Sequence, residues 1–240
     1  MSIATPIKLA CLDLAGTTVG DIAMVERAFA EAIATQGIVP GTGAYARAMV
    51  HVHRSRGRPK IDVFHGIFPD NEAQAQAANL TFERAYAGAI ERSGLIPVPG
   101  TVEALDKIQA AGIQIALITG FSRATLGRVL SALDWSDKLD LALSPEDAGR
   151  GRPYPDMILT AVLRLGIDDV RHVAVAGDAE SDMLAARRAG ASAAIGLLTG
   201  AHSKQRLLSG GATHILDTFA DLPTLLLTPI PTTEPTPTPC

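Results

Sequence analysis

Three stretches of the chain are apolar almost without interruption: Ile7 to Leu14, Ile113 to Thr119 and His172 to Asp178. Runs of this length without alternation predict strands covered on both faces, as in a parallel sheet. Leu139 to Leu143, Ser192 to Leu198 and Thr213 to Leu216 are weaker strand candidates. Helical periodicity separates them. Val102 to Ala111, Met157 to Leu165 and Asp182 to Ala189 each run into a glycine, the residue that most readily ends a helix, and Arg123 to Leu133 completes the set. Such alternation predicts βαβ units wound into an α/β fold, a doubly wound, Rossmann-like parallel sheet.

The alternation fails from about Asp21 to Arg92, where the pattern is helical and no strand is evident. Ala28, Phe29 and Ile33 supply one apolar face and Leu80 to Ile90 another. We therefore expect a core domain from residues 1–19 and 98–227, interrupted by a mostly helical cap domain at 20–97. Gly16 to Gly20 and Pro97, Pro99 and Gly100 would form the two hinges. The Pro/Thr-rich segment 228–240 has little to pack and is expected to be an extended, disordered tail.

Composition narrows the class. At 240 residues, 47% of them apolar, the chain is long and apolar enough for a buried core. A net charge of −4 argues against a nucleic-acid partner. No apolar run reaches the ~18 residues of a membrane span. The short N-terminal run contains Lys8 and does not read as a signal peptide. Two cysteines give no disulfide framework. These features predict a soluble, cytoplasmic protein without a membrane partner.

Four features follow predicted strands or lie in connecting loops, where open α/β sheets bind ligands. Asp13 opens the segment DLAGTT, in which Gly16 lets backbone amides approach an oxyanion. Thr119 and Gly120 end the second strong strand, and Arg152 lies in the stiff loop GRGRPYPD. Asp178 and Asp182, in GDAESD, put two carboxylates where a buried strand opens into a helix. Oxygen donors of that kind suit Mg²⁺. Each feature alone also reads as turn or cap chemistry, but that reading leaves Asp178 at the end of an apolar strand unexplained.

In this order the four features resemble the haloacid dehalogenase superfamily of phosphotransferases, over about Ile7 to Leu226. The resemblance implies that Asp13 is the nucleophile and a Mg²⁺ ligand, with the Ala15 carbonyl and Asp178 as further ligands. Asp182 would act on the metal indirectly. Gly16, Thr119, the Gly120 amide and Arg152 would hold the phosphoryl group of a small phosphate or phosphonate substrate. A homodimer through cap helices is also suggested.

Ala15 stands where most phosphatases of the superfamily carry an acid that protonates the leaving group. The segment is similar to that of phosphonatases, which hydrolyse phosphonoacetaldehyde through an imine on a cap lysine. Lys60, in RPKID, resembles that lysine, and Pro59 would place it at a positive helix end that lowers its pKa. The alternative makes Lys60 one charge in an exposed basic run with Arg54, Arg56 and Arg58. Val63, Phe121 and Ala23 depart from the phosphonatase pattern, where histidine, tyrosine and cysteine are expected. His51 and His53 are near enough in sequence to replace the missing acid. The competing functions are a phosphatase acting on a small phosphate ester and, disfavoured by the acidic GDAESD motif, a metal-free 2-haloacid dehalogenase. A fold-retaining binding module would be expected to lack Asp13, Asp178 or Arg152, and all three are present.

Overall fold

The computed structural model describes residues 3, 5–200 and 202–228, so the predicted tail lies outside the described residues apart from Thr228. The three strong apolar runs form strands β1 (Leu9–Leu12), β2 (Gln114–Ile118) and, after β3 (Leu141–Leu143), β4 (Val173–Gly177). The weaker candidates form β3, β5 (Ala193–Leu197) and β6 (His214–Leu216). All neighbouring pairs are parallel, in the order β3-β2-β1-β4-β5-β6.

Four helices, α1 (Ile22–Thr35), α2 (Gly43–Arg54), α3 (Lys60–Ile67) and α4 (Glu72–Ser93), separate β1 from α5 (Thr101–Ala110). The remaining helices are α6 (Arg123–Leu133), α7 (Asp156–Arg164), α8 (Glu180–Ala189), α9 (Lys204–Gly210) and α10 (Leu222–Leu227). Along β1, Leu9 and Cys11 pack into a cluster with Met157, Ile158 and Met183, while Ala10 and Leu12 pack with Leu105 and Ile108. Alternate residues thus enter opposite helix layers, which is why the strand is apolar at every position.

The insert has an aromatic interior. Phe29 lies 4.6 Å from Phe82 and 5.3 Å from Phe64, and Tyr86 stacks on Phe121 of the core at 4.8 Å between ring centroids. On α4 the buried stripe is Ala75, Ala78, Phe82, Tyr86 and Ile90, at helical spacing. Leu80, expected on the apolar face, points outward and is 49% exposed, because two residues of helical rotation carry it away from Phe82. The chain enters and leaves the insert through paired segments. Gly20 N–H donates to Ile96 O at 3.0 Å, and Val98 N–H donates to Thr18 O at 3.0 Å. This short antiparallel contact joins the two expected hinges.

Truncating Phe82 to alanine removes a ring from the centre of the insert and should cost about 3–5 kcal/mol in denaturant unfolding. Leu163→Ala, on a side chain 81% exposed, should change stability by less than about 0.5 kcal/mol.

Candidate active site

Strand pairing sets the site before any side chain contributes. Asp13 and Asp178 each stand one residue beyond β1 and β4, and Thr119 one beyond β2. The ladders continue into these positions: Asp13 N–H donates to Ala176 O at 2.9 Å and Thr119 N–H donates to Leu143 O at 3.1 Å. Three candidate site residues are therefore held on adjacent strands at one sheet edge. Glycines make room for them. A Cβ on Gly16 would lie 2.6 Å from Asp178 Oδ2, and one on Gly200 would also strike that carboxylate.

Arg152 reaches this edge from the loop between β3 and α7, and at 2% exposure it is the largest of the fully buried side chains. Its Nη1 lies 2.5 Å from Asp13 Oδ1 and also pairs with Asp182 Oδ1. Among the described residues its buried Nε has no hydrogen-bond partner. Asp182 Oδ2 accepts from Ala179 N–H at 3.0 Å, and Asp13 Oδ2 accepts from Thr17 Oγ1 at 3.3 Å. Burial works against the guanidinium charge, but the two aspartates outweigh it and hold the arginine protonated. Burial raises the pKa of Asp182 despite Arg152 beside it. Asp13, Asp178 and Asp182 each offer an oxygen within 4.8 Å of the others. Such an all-oxygen, buried donor set fits Mg²⁺, and Asp182, already committed to Arg152 and Ala179, is placed for an indirect part.

The insert closes the other side. Lys60 begins α3, where its N–H donates to Gly120 O at 3.2 Å, and its side chain lines one cavity with Asp13, Ala15, Thr119, Gly120 and Arg152. About 30 Å³ of this cavity is open to water centres. Lys60 Nζ lies 4.3 Å from the Phe121 ring centroid. Desolvation, and then the charge of Arg152, lower its pKa from 10.5 to about 8. The direction is the one expected from a helix end, but the leading cause is burial.

Other expectations change. His51 and His53 do not line the cavity: His51 stands 3.4 Å from Ser55 Oγ and His53 pairs with Glu26 at 3.5 Å. Arg56, expected in an exposed run, is nine-tenths buried in its side chain, pairs with Glu26 and lines the cavity. Glu26 and Phe29 of α1 line it too. Arg56, Glu26 and the buried pair Asp21–Tyr86 had no marker in the sequence beyond their residue types.

Polar contacts hold the insert down. Ser181 Oγ donates to Arg56 O at 2.8 Å, and Arg206 Nη2 donates to Arg54 O at 2.8 Å. His202 accepts from Glu180 N–H through Nδ1, so Nε2 carries the proton and donates to His53 O at 3.0 Å. Gly120 lets the insert come close, since a Cβ there would lie 2.3 Å from the backbone carbonyl oxygen of Arg58.

The sequence model of the haloacid dehalogenase-like hydrolases matches residues 7–190, and the chain belongs to this family. It is 26% identical to the phosphonoacetaldehyde hydrolase of Bacillus cytotoxicus over 255 aligned positions, covering 92% of this chain and 95% of that one. It is also 26% identical to the phosphoglycolate phosphatase of Salmonella typhimurium, over 71% of this chain and 65% of the relative. Among solved structures, a hydrolase from Pseudomonas syringae superposes with a TM-score of 0.79 at 26% identity, covering 92% of this chain and 98% of that one. No helix among the described residues is long and apolar enough to cross a membrane.

Calorimetric titration should show Mg²⁺ binding that Asp178→Asn weakens at least tenfold, and EDTA should abolish hydrolysis. Gly120→Ala should lower kcat/KM roughly 10- to 100-fold by displacing the 57–60 loop. Its melting temperature should stay near that of the native protein, because the nearest atoms the methyl meets belong to the loop of the docked insert.

Proposed function

We propose that this protein is a magnesium-dependent phosphonatase-like hydrolase that cleaves the C–P bond of a small carbonyl phosphonate through a phosphoaspartate on Asp13. The observation that supports it most is Lys60, whose desolvated amine shares one small cavity with Asp13, Thr119 and Arg152. The similarity to a phosphonoacetaldehyde hydrolase over nearly the whole chain points the same way.

In this reading the 20–97 insert is the cap, and the phosphonate sits at the sheet edge with its carbonyl toward Lys60. The Thr119 hydroxyl and Gly120 amide donate to phosphoryl oxygens, and Arg152 has a buried Nε without a partner to donate as well. Mg²⁺ held by Asp13, Asp178 and the Ala15 carbonyl would neutralise phosphoryl charge. Lys60 attacks the carbonyl carbon and water leaves, giving an iminium. An Asp13 oxygen then bonds to phosphorus as the C–P bond breaks, and that electron pair moves toward the iminium nitrogen to form an enamine. Water hydrolyses the acyl phosphate, releasing orthophosphate and restoring Asp13. The enamine takes a proton on carbon, and a second water frees the carbonyl product and Lys60. No acid at position 15 is needed, because the leaving carbon is neutralised by the iminium and not by a proton.

A second reading keeps Asp13, Thr119 and Arg152 but makes Lys60 an anion-binding residue in a phosphate-ester hydrolase. Arg56 favours it, as a second cation on the same cavity wall.

Borohydride with phosphonoacetaldehyde should trap an adduct on Lys60, found by peptide mass spectrometry. Lys60→Arg should abolish C–P cleavage while keeping the charge, and Asp13→Asn should abolish turnover. With a pKa of about 8, roughly one amine in ten is neutral at pH 7, against about four in ten thousand for an ordinary lysine. Since the neutral amine reacts, kcat/KM should rise with pH through about 8 and then level. No adduct, together with full activity of Lys60→Arg on a phosphate ester, would establish the second reading.

A further inference from the structure

Asp21 is buried at the entrance to the insert, just ahead of α1, with 5% of its surface exposed. Its Oδ2 accepts a hydrogen bond from the Tyr86 hydroxyl of α4, and its Oδ1 has no partner among the described residues. A carboxylate buried with one oxygen unused is expensive to keep, and structures retain such groups where something else needs them. The aromatic floor of the cavity shows what lies near. Tyr86 stacks on Phe121 at 4.8 Å, and Lys60 Nζ sits 4.3 Å from the centroid of the same ring.

Lys60 is therefore assembled with Phe121, Tyr86 and Asp21 by contacts that link α3, α4, the first linker and the β2 loop. The charges bear this out. Asp21 favours the Lys60 ammonium, and Lys60 favours the Asp21 carboxylate, while Arg152 and Arg56 oppose the ammonium and Asp13 supports it. Asp13 is already engaged by Arg152 and Thr17. Asp21 is the carboxylate acting on Lys60 that has an oxygen to spare. Burial, partly offset by the Tyr86 hydrogen bond, raises its own pKa to about 6, so it carries its charge at neutral pH.

We propose that Asp21, clamped by Tyr86 and linked to Lys60 through the Tyr86–Phe121 stack, is a positioning residue of Lys60, its carboxylate orienting the Lys60 nitrogen toward the substrate carbonyl. This deepens the imine reading and rests on it for its catalytic meaning. The physical claim, that Asp21 acts on Lys60, can be tested separately.

Asp21→Asn keeps the shape and an acceptor for Tyr86 but removes the charge. The Lys60 ammonium then loses support, so its pKa should fall by roughly one unit. The signal of ¹³C-labelled lysine, assigned to Lys60 by its loss in Lys60→Arg, reads this directly. In parallel the rising limb of kcat/KM should move to lower pH, while the plateau kcat on phosphonoacetaldehyde falls roughly tenfold with KM little changed. Tyr86→Phe leaves Asp21 without its donor and partly discharges it, so Lys60 should shift in the same direction by less. It carries the test if Asp21→Asn does not fold. An unshifted Lys60 in a folded variant overturns the proposal whether or not an imine can be trapped. A shifted Lys60 without any borohydride adduct would support the placement of Asp21 and remove only the imine.

Discussion

A guanidinium sealed from water has to be neutralised where it sits, and Arg152 meets that demand with Asp13 and Asp182. Each partner arrives from a different part of the chain: Asp13 beyond β1, Asp182 in the first turn of α8, Arg152 on the loop before α7. Removing one would leave an uncompensated buried charge, which costs several kcal/mol. The ion cluster therefore dictates how the strand ends and loops converge. Asp178 brings a third carboxylate to within 4.8 Å of the other two. An all-oxygen, buried donor set of this kind could hold a divalent cation.

The insert completes the electrostatics from the opposite side. Lys60 and Arg56 bring positive charge to a wall that also contains Val25, Phe29, Val52 and Val63. Cations on an apolar wall lose hydration when the insert is down, which is what lowers the pKa of Lys60. The contacts that hold the insert there are largely hydrogen bonds to the backbone, from Ser181, His202 and Arg206 to the end of α2 and the segment after it, and from Lys60 N–H to Gly120. The paired linkers meet at Val19 and Pro97, where the chain enters and leaves the insert.

Ala15 ties the two halves together. In the proposed reaction, the charge that develops on the leaving group, with no acid at that position, is met from the insert by Lys60. Phe121 has a matching part: its ring bears both Lys60 and Tyr86, so a core loop residue aligns two side chains of the insert.

The continuous apolar runs and the glycines after helices were readable in the sequence because they are local. Burial on both faces of β1, β2 and β4 leaves an uninterrupted run, and the polar residue that ends each run falls at the sheet edge. This is why Asp13, Thr119 and Asp178 were identifiable as a set, with Arg152 joined to them by order along the chain and Lys60 by its resemblance to a phosphonatase lysine. What the tertiary structure alone decided lies in the insert. Four helices can pack in many ways, and sequence spacing does not say which side chain meets which. Leu80 and Phe82 were equally good candidates for the buried face of α4, and only the packing against Phe29 and Phe64 chose Phe82. Arg56 read as surface charge until the docked α2–α3 loop enclosed it. Asp21 and Tyr86 are 65 residues apart, and their pairing depends on where α4 lands over the first linker. Periodicity records whether a residue is buried. Which groups it is buried with is set by long-range packing, and that packing gives Lys60 its neighbours.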